Sequence, residues 1–181
     1  MLYFAYGSNL NLRGMTRRCP AAEPLCVARL PGYKLCFRTY TDIEPQNGGE
    51  VHGALYKLTP ACVRALDAFE GPAYAKITVS VIANARTLKA MAYAMAEKAP
   101  LAPPSMEFYR EVAHGYRDWK LDEALLRRAR YDTLQTGHAP AAQDAPGAQP
   151  RRTRRAMWDP AADPTGEVGL PLVRKRGPRP E

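Results

Sequence analysis

Apolar and polar positions form short segments over residues 1–134, in a pattern that predicts strands followed by helices. Alternating or continuous apolar runs bounded by Gly, Pro and Asn are typical of strands, whereas apolar residues spaced by three and four indicate helices. The predicted strands cover residues 2–6, 25–30, 33–40, 51–58, 74–82 and 87–96, and the predicted helices cover residues 10–18, 60–70, 105–116 and 122–131. We therefore expect an α+β domain with a small mixed or antiparallel, barrel-like sheet and flanking helices.

Turn and cap residues mark the boundaries of these elements. Thr59 and Pro60 are the N-cap and first-turn residues that open a helix, and Gly71-Pro72 would end that helix. Pro31-Gly32 predicts a turn between two strands. The segment 41–50 contains a proline and an Asn-Gly-Gly sequence, and it predicts a surface loop.

Residues 135–181 differ in composition from the domain at 1–134. They hold eight of the 17 prolines, and their eight Lys and Arg residues against five acids give +3 of the chain's net charge of +8. Because few apolar side chains could be buried there, we expect a disordered basic tail rich in Pro, Ala and Arg. The arginines at 151–155 could contact RNA, DNA or an acidic surface. Such runs are usually solvated, so we do not expect nucleic-acid binding to be the function.

The cysteines and histidines show no metal-binding pattern. The four cysteines contain no C-x-x-C pair and no histidine at metal-ligand spacing, so we expect reduced thiols, with neither a metal nor another cofactor. No run of about 18 apolar residues predicts a membrane helix, and the N-terminus lacks the pattern of a secretory signal. We therefore expect a cytoplasmic protein that does not insert into a membrane.

The segment at residues 6–10, Tyr-Gly-Ser-Asn-Leu, connects the first strand to the first helix. Gly7 allows backbone angles that other residues avoid, and Ser8 and Asn9 can bond to local backbone groups and cap the helix that follows. Exposed backbone N–H groups in such a turn can bind an anion such as a carboxylate. An ordinary connection between a strand and a helix is the other interpretation.

Glu70 is the candidate catalytic residue. It ends the predicted helix at 60–70, where the negative end of the helix dipole disfavours the charged form of a carboxylate. Partial burial would raise its pKa further, toward a value suited to a general acid and base at neutral pH. An exposed glutamate at a helix end, without a function, is the alternative. Asp67 could be a second carboxylate on the same side or a structural acid.

Five segments of the chain occur in an order that resembles a known family. They are residues 2–10 (LYFAYGSNL), 26–30 (CVARL), 51–56 (VHGALY), 66–71 (LDAFEG) with Tyr74, and 103–109 (PPSMEFY). Together these segments are similar to the gamma-glutamylcyclotransferase family. The resemblance covers about residues 1–130 and does not include the tail.

The resemblance implies a reaction in which a gamma-glutamyl group closes on itself and releases 5-oxoproline and a free amine. It implies that Glu70 is the catalytic glutamate, and that the substrate is contacted by Tyr6, Gly7, Ser8, Asn9, Leu10, Tyr74 and Tyr109. The implied partner is a small gamma-glutamyl molecule, and the chemistry needs neither a metal nor a covalent enzyme intermediate. We expect a monomer or a homodimer.

Two function classes remain open from the sequence. One is a cyclotransferase, and the other is a binding or interaction protein that keeps the fold and engages a partner through its basic tail. Ser8 has the wrong surroundings for a nucleophile, because Tyr-Gly-Ser-Asn is not the G-x-S-x-G elbow and no histidine follows in triad order. We therefore expect Ser8 to form hydrogen bonds.

Overall fold

A computed structural model describes residues 1–137 of the 181-residue chain. The strands are β1 (Leu2–Ala5), β2 (Glu23–Arg38), β3 (Tyr40–Lys57), β4 (Tyr74–Ala83) and β5 (Arg86–Met95). The helices are α1 (Leu12–Arg18), α2 (Pro60–Glu70), α3 (Met106–Asp118) and α4 (Glu123–Gly137), with short 3-10 turns at Ser8–Leu10 and Gly71–Ala73. The predicted tail lies outside the described residues, except for 135–137, which continue α4.

The five strands close into a barrel in the order β1-β3-β2-β4-β5. Neighbouring strands pair in antiparallel fashion, except that β1 meets β5 in parallel where Tyr3 lies beside Met91. Closure joins β1 to β5, the two strands that would otherwise be the edges of the sheet. The predicted α+β fold with a barrel-like sheet and flanking helices is confirmed.

The prediction of a surface loop at residues 41–50 is wrong. Those residues belong to β3, which pairs along most of its length with β2, for example Leu35 with Ile43. Thr41, Asp42 and Ile43 are buried, so this part of the strand lies in the packed body of the domain. The Asn-Gly-Gly signal marks an irregularity inside β3, because residues 46–49 have no partner in β2 and Gly48 has a φ of +70°. Pairing with β2 on both sides of this irregularity keeps the segment in one strand.

The predicted turn at Pro31-Gly32 is also wrong, because both residues lie inside β2. The pairing of β2 with β3 shifts its register between Pro31 and Tyr33, and Gly32 has a φ of +77°. At this point Gly32 of β2 lies opposite residues 46–49 of β3, an irregularity like a β-bulge, which bends a strand without ending it. The two predicted strands at 25–30 and 33–40 are therefore one strand.

The helix starts follow the sequence signals. The Thr59 side chain accepts a hydrogen bond from the Cys62 N–H at 3.2 Å, and Ser105 accepts one from Phe108 at 3.1 Å. Asp122 accepts one from the Ala124 N–H at 2.8 Å. These side chains satisfy backbone donors that a helix leaves unpaired at its first turn.

Alternate residues of β1 contribute to two different parts of the core. Phe4 and Val51 belong to a cluster drawn from the barrel strands. Tyr3 points to the opposite face and packs in a second cluster with residues from the helices, such as Leu66 and Val112. Successive side chains of a strand point to opposite faces of the sheet, which explains this alternation. The helices thus cover the side of β1 that carries Tyr3.

Within residues 1–137, no helix has the length and apolar character needed to cross a lipid bilayer.

Candidate active site

The connection after β1 folds as a tight 3-10 turn over Ser8–Leu10. The Leu10 N–H donates to the Gly7 carbonyl at 3.0 Å, and both Asn9 and Leu10 are buried. The helix α1 is capped by Asn11, whose Oδ1 accepts from the Gly14 N–H at 2.7 Å. The expectation that Ser8 or Asn9 would cap this helix is therefore wrong, and the Asn9 side chain is free to face the interior of the domain.

Gly7 lies against β3 with no room for a side chain. A Cβ atom added to Gly7 would be 2.2 Å from Thr41 Oγ1, which is far inside van der Waals contact. Thr41 itself is buried and β-branched, so its side chain has few other positions. The glycine lets the turn approach the start of β3, and this approach brings two parts of the site together.

We expect Gly7→Ala to destabilise the domain by about 2 kcal/mol, because the added methyl group overpacks a closed contact. The double variant Gly7→Ala/Thr41→Ala removes the clashing oxygen and should recover part of that loss. Urea unfolding of both variants, with Thr41→Ala alone as the control, measures the difference. A Gly7→Ala variant as stable as the parent would show that this contact is loose.

Glu70 is the last residue of α2, and its side chain points into the domain. The helix ends there because Gly71 has a φ of +62°, a backbone conformation that favours glycine, and its N–H donates to the Asp67 carbonyl. Glu70 is only 9% exposed. Burial raises its pKa to about 7, against the opposing effects of the Asn9 hydrogen bond and the Arg18 charge.

Asn9 connects Glu70 to two residues that the sequence did not single out. Its Nδ2 donates to Glu70 Oε1 at 2.8 Å and to the Tyr3 hydroxyl at 2.9 Å, while its Oδ1 accepts from Arg18 Nη1 at 3.1 Å. Among residues 1–137, Glu70 Oε2 has no hydrogen-bond partner. Glu70 therefore has one oxygen held in place and one oxygen available to take a proton.

Tyr3 and Arg18 gave no sequence signal that separates them from ordinary residues. Tyr3 is one aromatic residue in a strand of aromatic residues, and only its strand face distinguishes it from Phe4. Arg18 ends a short helix that contains two other arginines. Strand alternation could have placed Tyr3 opposite Phe4, but the contacts of Arg18 depend on the tertiary fold.

Tyr74 and Tyr6 lie beside Glu70. The Tyr74 hydroxyl donates to the Thr41 carbonyl at 2.6 Å, and the Tyr6 hydroxyl donates to the Tyr93 carbonyl. Burial and the nearby Glu70 carboxylate raise the pKa of both phenols, so both stay neutral at physiological pH. The structure thus brings together Glu70, Tyr74 and the turn that follows β1.

Comparisons with known proteins identify the family of the chain. The family described as gamma-glutamyl cyclotransferase, AIG2-like, matches residues 3–121. The chain belongs to this family.

Curated relatives and solved structures support the assignment to the AIG2-like gamma-glutamyl cyclotransferases. A gamma-glutamylcyclotransferase from Homo sapiens is 31% identical over 133 residues, covering 65% of this chain and 70% of the relative. The protein of the same name from Mus musculus is 29% identical over the same coverage. A solved gamma-glutamyl cyclotransferase has a TM-score of 0.66 and 27% identity, over 82% of this chain and 92% of that chain.

The remaining predicted site residues differ in their surroundings. The Ser8 side chain is partly exposed, and its hydroxyl has no hydrogen-bond partner within residues 1–137. Leu10 is fully buried, and its carbonyl accepts from Trp119 Nε1 at 2.9 Å, which anchors the turn to the end of α3. Ser8 can therefore contact a ligand, whereas the Leu10 side chain supports the turn.

Tyr109 lies on α3 and faces α4. Its ring packs against Phe37, with centroids 6.3 Å apart, and the Arg130 guanidinium lies 5.4 Å from its centroid. Burial raises the pKa of Tyr109, and the nearby charges come from α4. In the described part of the chain, no hydrogen bond or ring contact joins Tyr109 to Glu70, and its role toward a substrate stays a prediction.

Asp67 is bound away from Glu70. It accepts hydrogen bonds from the Tyr93 hydroxyl at 2.7 Å and from Lys76 Nζ at 2.9 Å, and its side chain is 38% exposed. These two donors lower the pKa of Asp67, so it stays ionised. Asp67 thus has the structural role that was one of the two interpretations. In residues 1–137, no cluster of three His, Cys, Asp or Glu side chains could hold a metal ion.

Proposed function

We propose that this protein converts a gamma-glutamyl compound into 5-oxoproline and a free amine or amino acid, with Glu70 as general base and then general acid. The observation that carries the proposal is the buried Glu70 carboxylate, with a pKa raised to about 7 and one oxygen hydrogen-bonded to the turn after β1. Membership of the gamma-glutamyl cyclotransferase, AIG2-like family supports it.

The first step needs a base. The α-ammonium group of a gamma-glutamyl substrate cannot attack until it loses a proton, and the free Oε2 of Glu70 can accept that proton. The neutral amine then attacks the γ-carbonyl carbon and closes a five-membered ring. Because attack is intramolecular, holding the glutamyl chain in a folded conformation supplies much of the rate.

The second step needs an acid. When the bond to the leaving nitrogen breaks, that nitrogen must gain a proton to depart as a neutral amine. Glu70 carries the proton that it took in the first step and can donate it here, which returns Glu70 to the carboxylate. The ring nitrogen gives up its second proton to water as the lactam N–H forms, and the released amine takes up one proton from water at neutral pH. A carboxyl group with a pKa near 7 can serve both steps at neutral pH.

The turn after β1 would hold the glutamyl group. The Ser8 and Asn9 N–H groups lie at the start of the 3-10 turn, where no preceding turn offers them an acceptor. Backbone donors of this kind suit a substrate carboxylate or the oxygen that gains charge during attack. The Tyr74 hydroxyl oxygen, fixed by its bond to Thr41, would line the same space.

We expect kcat/KM to rise with pH through a midpoint near 7. Glu70 must be ionised to act as a base, and burial moves its pKa upward from the model-compound value of 4.5. Activity is therefore lost as the pH falls through this raised pKa and is retained above it. Initial rates between pH 5 and pH 9 measure the midpoint. A midpoint near 4.5 would contradict the assignment of the base to a buried Glu70.

The test of the function is release of 5-oxoproline from a panel of gamma-glutamyl amino acids, gamma-glutamyl amines and glutathione. Turnover on any member supports a cyclotransferase, and the ranking of substrates identifies the class of leaving group. Isothermal titration calorimetry with the same panel detects the alternative. Binding without turnover by a folded protein would contradict the proposal and indicate a binding protein that retains the fold.

A further inference from the structure

Arg18 joins three elements around Glu70. It is the last residue of α1, and its guanidinium carbon lies 4.0 Å from the centroid of the Phe69 ring on α2. Its Nη1 also donates to Asn9 Oδ1 at 3.1 Å. A planar guanidinium can stack on an aromatic face and donate in its own plane at the same time. The Arg18 side chain is therefore held by Asn9 on one side and by Phe69, the residue before Glu70, on the other.

We propose that Arg18 is a positioning residue for the cyclisation, and that it holds the Asn9 amide in the orientation that donates hydrogen bonds to Glu70 and Tyr3. This inference rests on the proposed function, because it assigns Arg18 a part in that reaction.

The two ends of the Asn9 side chain have similar shapes and opposite hydrogen-bonding properties. In the observed orientation Nδ2 faces the Glu70 carboxylate and the Tyr3 hydroxyl. A half-turn of the amide would place Oδ1 against the carboxylate, so that two acceptors would face each other. Because a guanidinium has donors and no acceptor, Arg18 favours only the orientation in which Oδ1 points toward it.

The charge of Arg18 and the hydrogen bond from Asn9 both lower the pKa of Glu70. Arg18 is the cation whose charge lowers the pKa of Glu70 among the described residues, and it opposes the effect of burial. Glu111 of α3 and Glu70 both stabilise the Arg18 charge, whereas neighbouring Arg17 opposes it. The other titratable groups that face Glu70 are phenols with raised pKa values, which stay neutral from pH 5 to pH 9: Tyr3, Tyr6, Tyr74 and Tyr93.

Arg18→Met tests this role, because it removes the charge and the donors and keeps an apolar stem over Phe69. We expect the midpoint of the kcat/KM profile to move up by about one pH unit. The loss of activity would then be about tenfold at pH 6 and under about twofold at pH 9. Arg18→Lys keeps the charge and one donor, so it should shift the midpoint less. Arg13→Met, the same change at an exposed position of α1, is the matched control and should leave the midpoint in place.

A second readout does not depend on turnover. The side-chain carboxyl of Glu70 can be titrated by NMR in protein labelled with ¹³C-glutamate, with Glu70→Gln identifying its signal. The Arg18→Met variant should show the same upward shift in this titration. A missing shift, a shift as large in Arg13→Met, or a loss of activity equal at every pH would overturn the role of Arg18. Absence of 5-oxoproline release by the parent protein would instead contradict the proposed function, and the titration would still decide about Arg18.

Discussion

Replacing Glu70 with Gln is expected to lower 5-oxoproline formation by about a hundredfold to ten-thousandfold, the range that one general acid or base contributes. Glutamine has nearly the same shape, and its carbonyl oxygen can still accept the hydrogen bond from Asn9. The change therefore removes the proton-accepting oxygen and leaves the packing in place. Steady-state rates at pH 7 measure the loss, and calorimetry with the preferred substrate shows whether binding persists.

Asp67→Asn is the matched control for Glu70→Gln. It is also a change from a carboxylate to an amide on α2, but Asp67 is bound to Tyr93 and Lys76 and is partly exposed. We expect it to keep activity within about threefold, as for substitutions away from the reacting groups. Full activity in Glu70→Gln, or equal losses in both variants, would contradict the role of Glu70 as the base.

The second large effect is a loss of stability, expected on substitution of Asp42, a fully buried carboxylate near the start of β3. It accepts hydrogen bonds from Arg38 Nε at 3.1 Å, from Lys98 Nζ at 2.8 Å and from the Met95 N–H at 3.0 Å. The Asp42 side chain has no exposed surface, and that of Arg38 is 8% exposed. Asp42→Asn removes this buried negative charge and turns an NH2 group toward the same donors, so that among the described residues the Arg38 charge keeps only its pair with Glu44. We therefore expect Asp42→Asn to lower the free energy of unfolding by about 3 kcal/mol.

Asp132→Asn provides the same chemical change at a solvated ion pair. Asp132 pairs with Arg128 on α4, and the two side chains are 53% and 75% exposed. Pairs of this kind contribute about 0.5 kcal/mol or less to stability. Urea unfolding of both variants gives the comparison. If the two variants lose the same stability, the buried Asp42 contributes no more than a solvated ion pair.

Local signals in the sequence were sufficient to predict where Glu70 lies. Thr59-Pro60 opens α2 and Gly71-Pro72 closes it, so the end of the helix could be read without knowledge of the fold. The sequence did not show whether Glu70 is buried, and the prediction of a raised pKa depended on that burial. The structure supplies it, because the turn at Ser8–Leu10 packs against the end of α2 and Asn9 reaches Glu70.

Features that depend on distant partners could not be predicted. Residues 41–45 and 50 lie in a strand because β2 pairs with them, although the Pro and Gly residues of this segment indicate a loop. The role of Arg18 depends on Asn9 and Phe69, which come from a different turn and a different helix. Tyr109 is a further case. The resemblance to the family implies a substrate contact, which stays a prediction, and the packing of the ring against Phe37 and Arg130 gave no signal in the sequence.

The most direct test of the central claim is the reaction run in water labelled with ¹⁸O, with the products identified by mass spectrometry. Cyclisation by the substrate's own amine forms the product without adding a water molecule. We therefore predict 5-oxoproline without label, released in equal amount with the free amine by the parent protein and at least about a hundredfold more slowly by Glu70→Gln. Glutamate that carries one ¹⁸O atom would indicate hydrolysis and would contradict the account.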